Sequence, residues 1–336
     1  MWRGNAAAPT VSTEAGPDHR VTGGTPDQPL MLARAGAIVS PMTKIAAVQA
    51  APVFLDRDAT IEKVARLTKE AAAEGAQLVA FPEGFVPTYP DWVWRKTPWS
   101  DSEWYDRWFD NCVDVPGPAC DALAAIAREH NTYLAIPVNE RDGGTIYNTI
   151  LYFAPDGEYL GKHRKLVATG GERLAWGMGD GSTLTTFDTP FGRVGGLICW
   201  EMYMPLARVA MYEQHVDILL APTWDNSSVW PMSMQHIAKE GRCYVVGVTS
   251  CLRASDVPAD LPGRDEIYQG EDDWMSRGNS VITDPYGSVL AGPVREQETI
   301  IYAEVDGGTA RKARRQFDPV GHYSRPDVFT FNVRRG

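Results

Sequence analysis

The chain has 336 residues, of which 44% are hydrophobic and 22% charged, and its net charge is −11. That length holds one large α/β domain or two ordinary ones and supports a sizeable core. The acidic balance repels phosphate backbones and argues against a nucleic-acid partner, and no apolar run reaches the ~18 residues of a membrane span. Five cysteines, an odd number with no C-x-x-C pair, speak against a disulfide framework and a zinc site. They point instead to a reducing, cytoplasmic location.

Residues 1–42, rich in Gly, Pro, Thr and Ala, read as a flexible N-terminal extension. From Lys44 the texture changes. KIAAVQAAPVF reads as a buried strand, and Asp58 to Glu74 carries helical spacing that Gly75 ends. AQLVAFPE is a second buried strand closed by Glu83. Ala119 to Glu129 reads as a helix and TYLAIPVNE as a strand. TIYNTILYFAPDGEYLGKHRK is a hairpin with Pro155–Asp156–Gly157 at its turn. FGRVGGLICW is another buried strand, Pro205 to His215 a helix, VDILLAPTW a strand, Gln235 to Gly241 a helix end and CYVVGVTS a strand. NSVITDPYGSVLAGP repeats the hairpin with Asp284–Gly287 at the turn, and IIYAEVD is a last strand. Strands alternating with helices, plus antiparallel hairpins, give an α/β fold of mixed sheets with helices on their outer faces. The tail from Thr309 opens with a basic run (Arg311, Lys312, Arg314, Arg315) that reads as a solvated helix end. It continues into an aromatic stretch too apolar to stay free.

Three polar residues sit at element ends. Glu83 closes LVAFPE, Lys165 follows a hairpin, and Cys199 closes RVGGLICWE. Strand ends are where α/β sheets bind ligands. A thiol beside an ammonium has a lowered pKa and gains thiolate character. A carboxyl in an apolar site has a raised pKa and can take and return the thiol proton. An ammonium can hold charge developing on a substrate nitrogen or oxygen. Spacing alone leaves plain alternatives open: a core cysteine, a turn glutamate, a solvated lysine. GMGDGS does not match a dinucleotide fingerprint, and no G-x-S-x-G, P-loop or H-E-x-x-H word is present. His163 and His236 are read as structural.

Four words resemble the nitrilase family, the nitrile-cleaving branch of the carbon–nitrogen hydrolases: FPEGFVPTYP (81–90), KHRKLVATGGERLAWGMGDGS (162–182), GGLICWEMYMPLAR (195–208) and VGHYSRPDVF (320–329). NERDGGTIYNT and HIAKEGRC are similar to family text as well. The resemblance implies a four-layer α-β-β-α sandwich, with a carbon–nitrogen hydrolase domain over 43–308 and a tail over 309–336 in subunit contacts. It implies Glu83, Lys165 and Cys199 as catalytic residues, with Glu172 orienting the lysine and the attacking water. Tyr89, Trp176, Trp200, Thr223 and Trp224 match positions that line family pockets, with core packing the alternative for each aromatic. The sequence departs from the usual pattern at Met202 after C-W-E and at Leu166–Val167–Ala168 after H-R-K. These departures bear on substrate choice and the acid-to-amide ratio.

The implied reaction is hydrolysis of a small organic nitrile to carboxylic acid and ammonia through a thioimidate and a thioester on Cys199. It requires no metal and no organic cofactor. A homo-oligomer, dimer or larger and including spirals, is expected. An amidase or carbamoylase would use the same three residue types, and a binding module on the same fold is the non-catalytic alternative. The Trp-rich stretch 91–108 reads equally as a pocket wall or an interface.

Overall fold

The computed structural model describes residues 42–268 and 274–335; the extension expected over 1–42 lies outside the described residues except for Met42. In chain order the strands are β1 (Thr43–Gln49), β2 (Ala76–Ala80), β3 (Val113–Asp114), β4 (Tyr133–Asp142), β5 (Thr145–Phe153), β6 (Tyr159–Arg164), β7 (Thr186–Thr189), β8 (Gly192–Gly196), β9 (Ile218–Thr223), β10 (Tyr244–Thr249), β11 (Cys251–Arg253), β12 (Trp274–Thr283), β13 (Val289–Arg295) and β14 (Thr299–Val305). The helices are α1 (Arg57–Ala73), α2 (Ser102–Asp110), α3 (Pro118–His130), α4 (Pro205–Tyr212), α5 (Trp230–Gly241), α6 (Arg264–Ile267) and α7 (Gly307–Arg314).

Two seven-stranded mixed sheets form the body. One runs β14-β1-β2-β4-β5-β6 with β3 beside β4; the other runs β11-β12-β10-β9-β8-β7 with β13 beside β12. Period-two alternation divides each strand between two apolar layers. Ile45, Ala47, Ile218, Leu220 and Val246 meet between the sheets. Ala46, Val48 and Val79 face out beneath α1 and α3. Leu219, Ala221 and Val245 face out beneath α4 and α5. Layer order is therefore helix, sheet, sheet, helix, the sandwich the resemblance implied. Among the described residues no helix is long and apolar enough to cross a membrane.

The elements match the sequence reading closely. Helix α1 begins after Asp56, whose carboxylate accepts from the Ala59 N–H at 2.9 Å and caps the helix. It ends at Gly75, whose φ of +86° suits glycine. Both hairpin turns fall where the Asp-Gly and Asp-Pro-Tyr-Gly words place them. Asp284 Oδ1 accepts from the Tyr286 and Ser288 N–H groups at 2.8 and 2.9 Å.

Two expectations change. The Trp-rich stretch is chiefly core: Trp92, Trp104 and Trp108 are fully buried and pack edge-on and tilted against one another and Phe54. Of the tryptophans of this stretch, Trp94 alone reaches the cleft described below. The basic run is not simply solvated. Arg314 and Arg311 pair with the buried carboxylate of Asp217 at 3.0 and 3.3 Å, which docks α7 against β9. The aromatic tail divides. Phe331, Val333 and Val320 pack on the layer of α4 and α5, while Tyr323, Val328 and Phe329 stay exposed.

Candidate active site

The sheets deliver their strand ends to one cleft. Glu83 stands three residues beyond β2, in a turn after Phe81–Pro82, and is fully buried. Its Oε1 accepts from Lys165 Nζ at 2.7 Å and from Asn148 Nδ2 at 2.8 Å, and its Oε2 accepts from the Trp224 N–H at 2.7 Å. Lys165 directly follows β6 and is only 1% exposed. Its ammonium also donates to Glu172 Oε2 at 2.7 Å, which puts one cation between two buried carboxylates. Glu172 is fixed in turn by the Thr169 N–H at 2.7 Å and by the Tyr89 hydroxyl at 2.8 Å.

Cys199 was expected at a strand end. Instead β8 stops at Gly196, and Cys199 starts a 3-10 segment, Cys199–Tyr203, with φ at +56°. The left-handed conformation costs a non-glycine residue about 1–3 kcal/mol and persists only where the surroundings impose it. Here it turns the thiol out of the sheet and toward the carboxylates. Sγ of Cys199 and one carboxylate oxygen from each of Glu83 and Glu172 lie within 4.8 Å of one another. The Thr223 hydroxyl, at the end of β9, faces the sulfur and favours its ionised form. A metal ion held by these three ligands would compete with the ammonium of Lys165, which already bonds both carboxylates.

The electrostatics decide which group carries the proton at rest. Burial raises the Cys199 thiol, the negative charge of Glu83 raises it further, and the Lys165 ammonium only partly offsets this. The Lys165 ammonium acts in the direction the sequence reading expected, but burial and Glu83 outweigh it. Two carboxylates share that ammonium, so the thiol stays protonated. Burial also raises Glu83 above its ordinary value despite Lys165, as the sequence reading expected. Burial would lower Lys165, but the carboxylates of Glu83 and Glu172 outweigh it and hold the ammonium charged. Tyr89 is raised well above its ordinary value by burial and by the two carboxylates, so it remains a neutral hydroxyl donor to Glu172.

The cleft above these groups has a volume of about 440 Å³. Tyr89, Trp94, Glu172, Cys199, Trp200 and Trp224 face it, with Asp91 and Asp225 toward the rim. Tyr89 stacks on Trp224 with ring centroids 4.3 Å apart and planes at 4°. Trp200 is 50% exposed, and its Nε1 donates to Asp225 at 2.9 Å. Of the pocket residues read from the sequence, Tyr89, Trp200 and Trp224 line the cleft and Thr223 supports the sulfur from behind. Trp176 is buried edge-on against Tyr89, with its Nε1 donating to Asn139 at 2.9 Å, and it is not part of the lining.

Two polar residues, Asn148 and Glu201, escaped the sequence reading. The Asn148 side-chain amide holds Glu83, and its backbone carbonyl accepts the backbone N–H of Lys165 at 2.8 Å. Glu201 and His163 form a buried pair, Nε2 to Oε2 at 2.9 Å, which agrees with the structural reading of that histidine. The signal available was polarity out of place. Asn148 interrupts the apolar strand TIYNTILYF, and Glu201 follows the apolar run GGLIC so closely that burial was foreseeable.

The carbon–nitrogen hydrolase family model matches residues 44–315. The aliphatic nitrilase of Sinorhizobium fredii (strain HH103) is 48% identical over 300 residues, covering 87% of this chain and 96% of its own. The bifunctional nitrilase/nitrile hydratase NIT4B of Nicotiana tabacum is 44% identical over 306 residues, covering 88% of this chain and 87% of its own. The crystal structure of Saccharomyces cerevisiae Nit3, a member of branch 10 of the nitrilase superfamily, shares the fold with a TM-score of 0.66 at 24% identity, over 87% of this chain and all of that one. Matched by the family model over most of its length, and nearly half identical to curated nitrilases, the chain belongs to the nitrilase family of carbon–nitrogen hydrolases.

Proposed function

We propose that this protein hydrolyses a small organic nitrile to the carboxylic acid and ammonia, with Cys199 as nucleophile, Glu83 as general base and acid, and Lys165 as the cation that stabilises developing charge. The observation that carries the reading is the meeting of a buried thiol, one ammonium and two carboxylates at the floor of a cleft. As Sγ attacks the nitrile carbon, its proton passes to Glu83 and on to the nitrile nitrogen, giving a thioimidate. Lys165, with a backbone N–H at Trp200, stabilises the nitrogen while it carries charge. Glu83 then takes a proton from water as the oxygen adds to the thioimidate carbon, with Glu172 orienting lysine and water. Glu83 passes that proton to the nitrogen and then relays the proton of the new hydroxyl to it as well; the carbon–nitrogen bond breaks, ammonia leaves carrying both protons of the water, and a thioester remains. A second water cleaves the thioester, releasing acid and restoring the thiol. If the tetrahedral intermediate expels sulfur instead, the product is the amide. Neither course requires a metal or an organic cofactor.

Tyr89, Trp200 and Trp224 form the substrate walls, Thr223 supports the sulfur and Trp176 backs Tyr89. The catalytic domain spans 43–308, preceded by the extension over 1–42. The tail over 309–336 enters subunit contacts in a homo-oligomer, a reading supported by the exposed side chains of Tyr323, Val328 and Phe329. The free state of all five cysteines accords with a reducing cytoplasm. The deciding experiment measures ammonia release from a panel of acetonitrile, 3-phenylpropionitrile and benzonitrile against the matching amides, with acid and amide both quantified. Turnover of amides with none of the nitriles would overturn the nitrile reading in favour of an amidase.

A further inference from the structure

Lys165 and Cys199 belong to different sheets: the lysine follows β6 of the first sheet and the cysteine follows β8 of the second. Something must hold the two chain segments in register across the interface. One buried side chain does so. Glu201 Oε1 accepts from the N–H of Leu166, the residue after Lys165, at 2.7 Å. Its Oε2 accepts from the N–H of Ile198, the residue before Cys199, at 2.6 Å. The same carboxylate takes His163 Nε2 at 2.9 and 3.2 Å, and His163 lies on β6 two residues before the lysine.

We propose that Glu201 is a positioning residue for the reaction: with His163 it clamps the chain just after Lys165 to the chain just before Cys199, and so sets the spacing of ammonium and thiol without bonding to either.

The proton count makes this clamp an ion pair. His163 Nδ1 lies 3.2 Å from the Thr183 carbonyl oxygen, which can only accept, and farther, at 3.5 Å, from the Thr183 hydroxyl, so the nearer contact favours a proton on Nδ1. Nε2 faces a carboxylate already accepting two backbone N–H groups, so it carries one as well. An imidazolium is therefore buried against a carboxylate. Burial would raise Glu201, but His163 and the two N–H donors outweigh it and keep the carboxyl below its ordinary value. The phenol of Tyr152 also faces Glu201; it is fully buried and neutral. A neutral amide at position 201 has one accepting oxygen instead of two, so one of the two backbone N–H groups loses its partner.

The inference rests on the assignment of Lys165 and Cys199 as reaction partners, and the test separates the two. Cys199 is alkylated with iodoacetamide across pH, and labelling is followed on the Cys199 peptide by mass spectrometry, which needs no knowledge of the natural nitrile. The groups facing the sulfur are Glu83, Lys165, Glu172 and the Thr223 hydroxyl, with the phenols of Tyr89 and Tyr203, both raised and neutral, beyond them. With Lys165→Met the reactive form of Cys199 should require higher pH; an unchanged profile in that variant defeats the lysine assignment itself. With Glu201→Gln the profile should move in the same direction, and kcat on any nitrile of the panel that is turned over should fall by about 10²-fold, with KM within ~3-fold, as misplaced reacting groups demand. If Glu201→Gln does not fold, His163→Gln/Glu201→Gln removes both charges together and takes its place in the same assays. A folded variant of either kind whose alkylation profile overlays the wild-type profile overturns the proposal.

Discussion

Lys165 donates to Glu83 at 2.7 Å although 82 positions separate them in the chain, and the contact is sealed from solvent. Its meaning lies in the second carboxylate. Because Glu172 takes the same ammonium at 2.7 Å, neither carboxylate is fully neutralised, and the site keeps a surplus of negative charge beside a protonated thiol. The resting state is therefore arranged for proton transfer from sulfur to Glu83 during attack, not for a stored thiolate.

That arrangement sets the first prediction. Cys199→Ala should abolish ammonia release from nitriles while leaving the fold intact by circular dichroism. Removing one partner of the buried ion cluster strands its neighbour, at about 3–5 kcal/mol whatever replaces it, and the isosteres Glu83→Gln and Lys165→Met are better tests than alanine because they add no cavity to that cost. Each should lose about 10²–10⁴-fold in kcat, the range for a general base or a charge-stabilising group. A near-native kcat in either variant would remove that residue from the mechanism.

The pH profile tests the base. Glu83 must be ionised to receive the thiol proton, and burial raises its carboxyl above the ordinary 4.5. Activity is thus present above the raised value and is lost as pH falls through it. The acid limb of kcat/KM should lie above pH 4.5, the ordinary value of the group. Asn148→Leu withdraws a donor from the ionised form, and a hydrogen bond to a charge contributes about 1.5–3 kcal/mol, so the limb should move up by about one pH unit or more. An acid limb at or below the ordinary carboxylate value would rule out this base.

The aromatic stretch gives a stability prediction. Trp92 and Trp108 are 0% exposed and touch each other. Either one replaced by alanine should cost about 3–5 kcal/mol in denaturant unfolding, the cost of emptying a large core site. Trp99→Ala, at 92% exposure, should leave stability within about 0.5 kcal/mol. Equal effects at the three positions would mean that the stretch is not core.

How much of this was legible in the sequence follows from where the information sits. Strand and helix identities are carried by local periodicity, so α1 and the first hairpin were readable within a residue or two, whereas β1 stops at Gln49, short of the end of KIAAVQAAPVF, and β12 starts at Trp274, before NSVITDPYGSVLAGP. The fate of Cys199 was not, because a positive φ at a non-glycine residue is imposed by the surrounding fold and leaves no mark in LICWE. The net shift of the thiol was legible only in part, for a related reason. Sequence put one ammonium near one thiol, but the sharing of Lys165 between Glu83 and Glu172 is a fact of three dimensions. Trp92, Trp104 and Trp108 were ambiguous because aromatic richness marks cores and interfaces alike. Asp217 was passed over for lack of a local partner, since Arg311 and Arg314 lie 94 and 97 positions away.

Tyr89 offers the last test, because it separates support from substrate contact. Its hydroxyl donates to Glu172 Oε1 at 2.8 Å and accepts from Trp94 Nε1 at 3.0 Å, while its ring stacks on Trp224 at the cleft wall. Tyr89→Phe keeps the ring and the wall but leaves Glu172 one donor short and the Trp94 N–H without its acceptor. A hydrogen bond to a buried charge contributes about 1.5–3 kcal/mol, and only part of that falls on the transition state, so kcat should drop by about 10-fold. KM for nitriles should hardly change, since the apolar surface offered to the substrate is the same. Tyr89→Ala removes the wall as well and should raise KM in addition. If Tyr89→Phe raises KM and spares kcat, the hydroxyl binds the substrate directly and its bond to Glu172 is incidental to the chemistry.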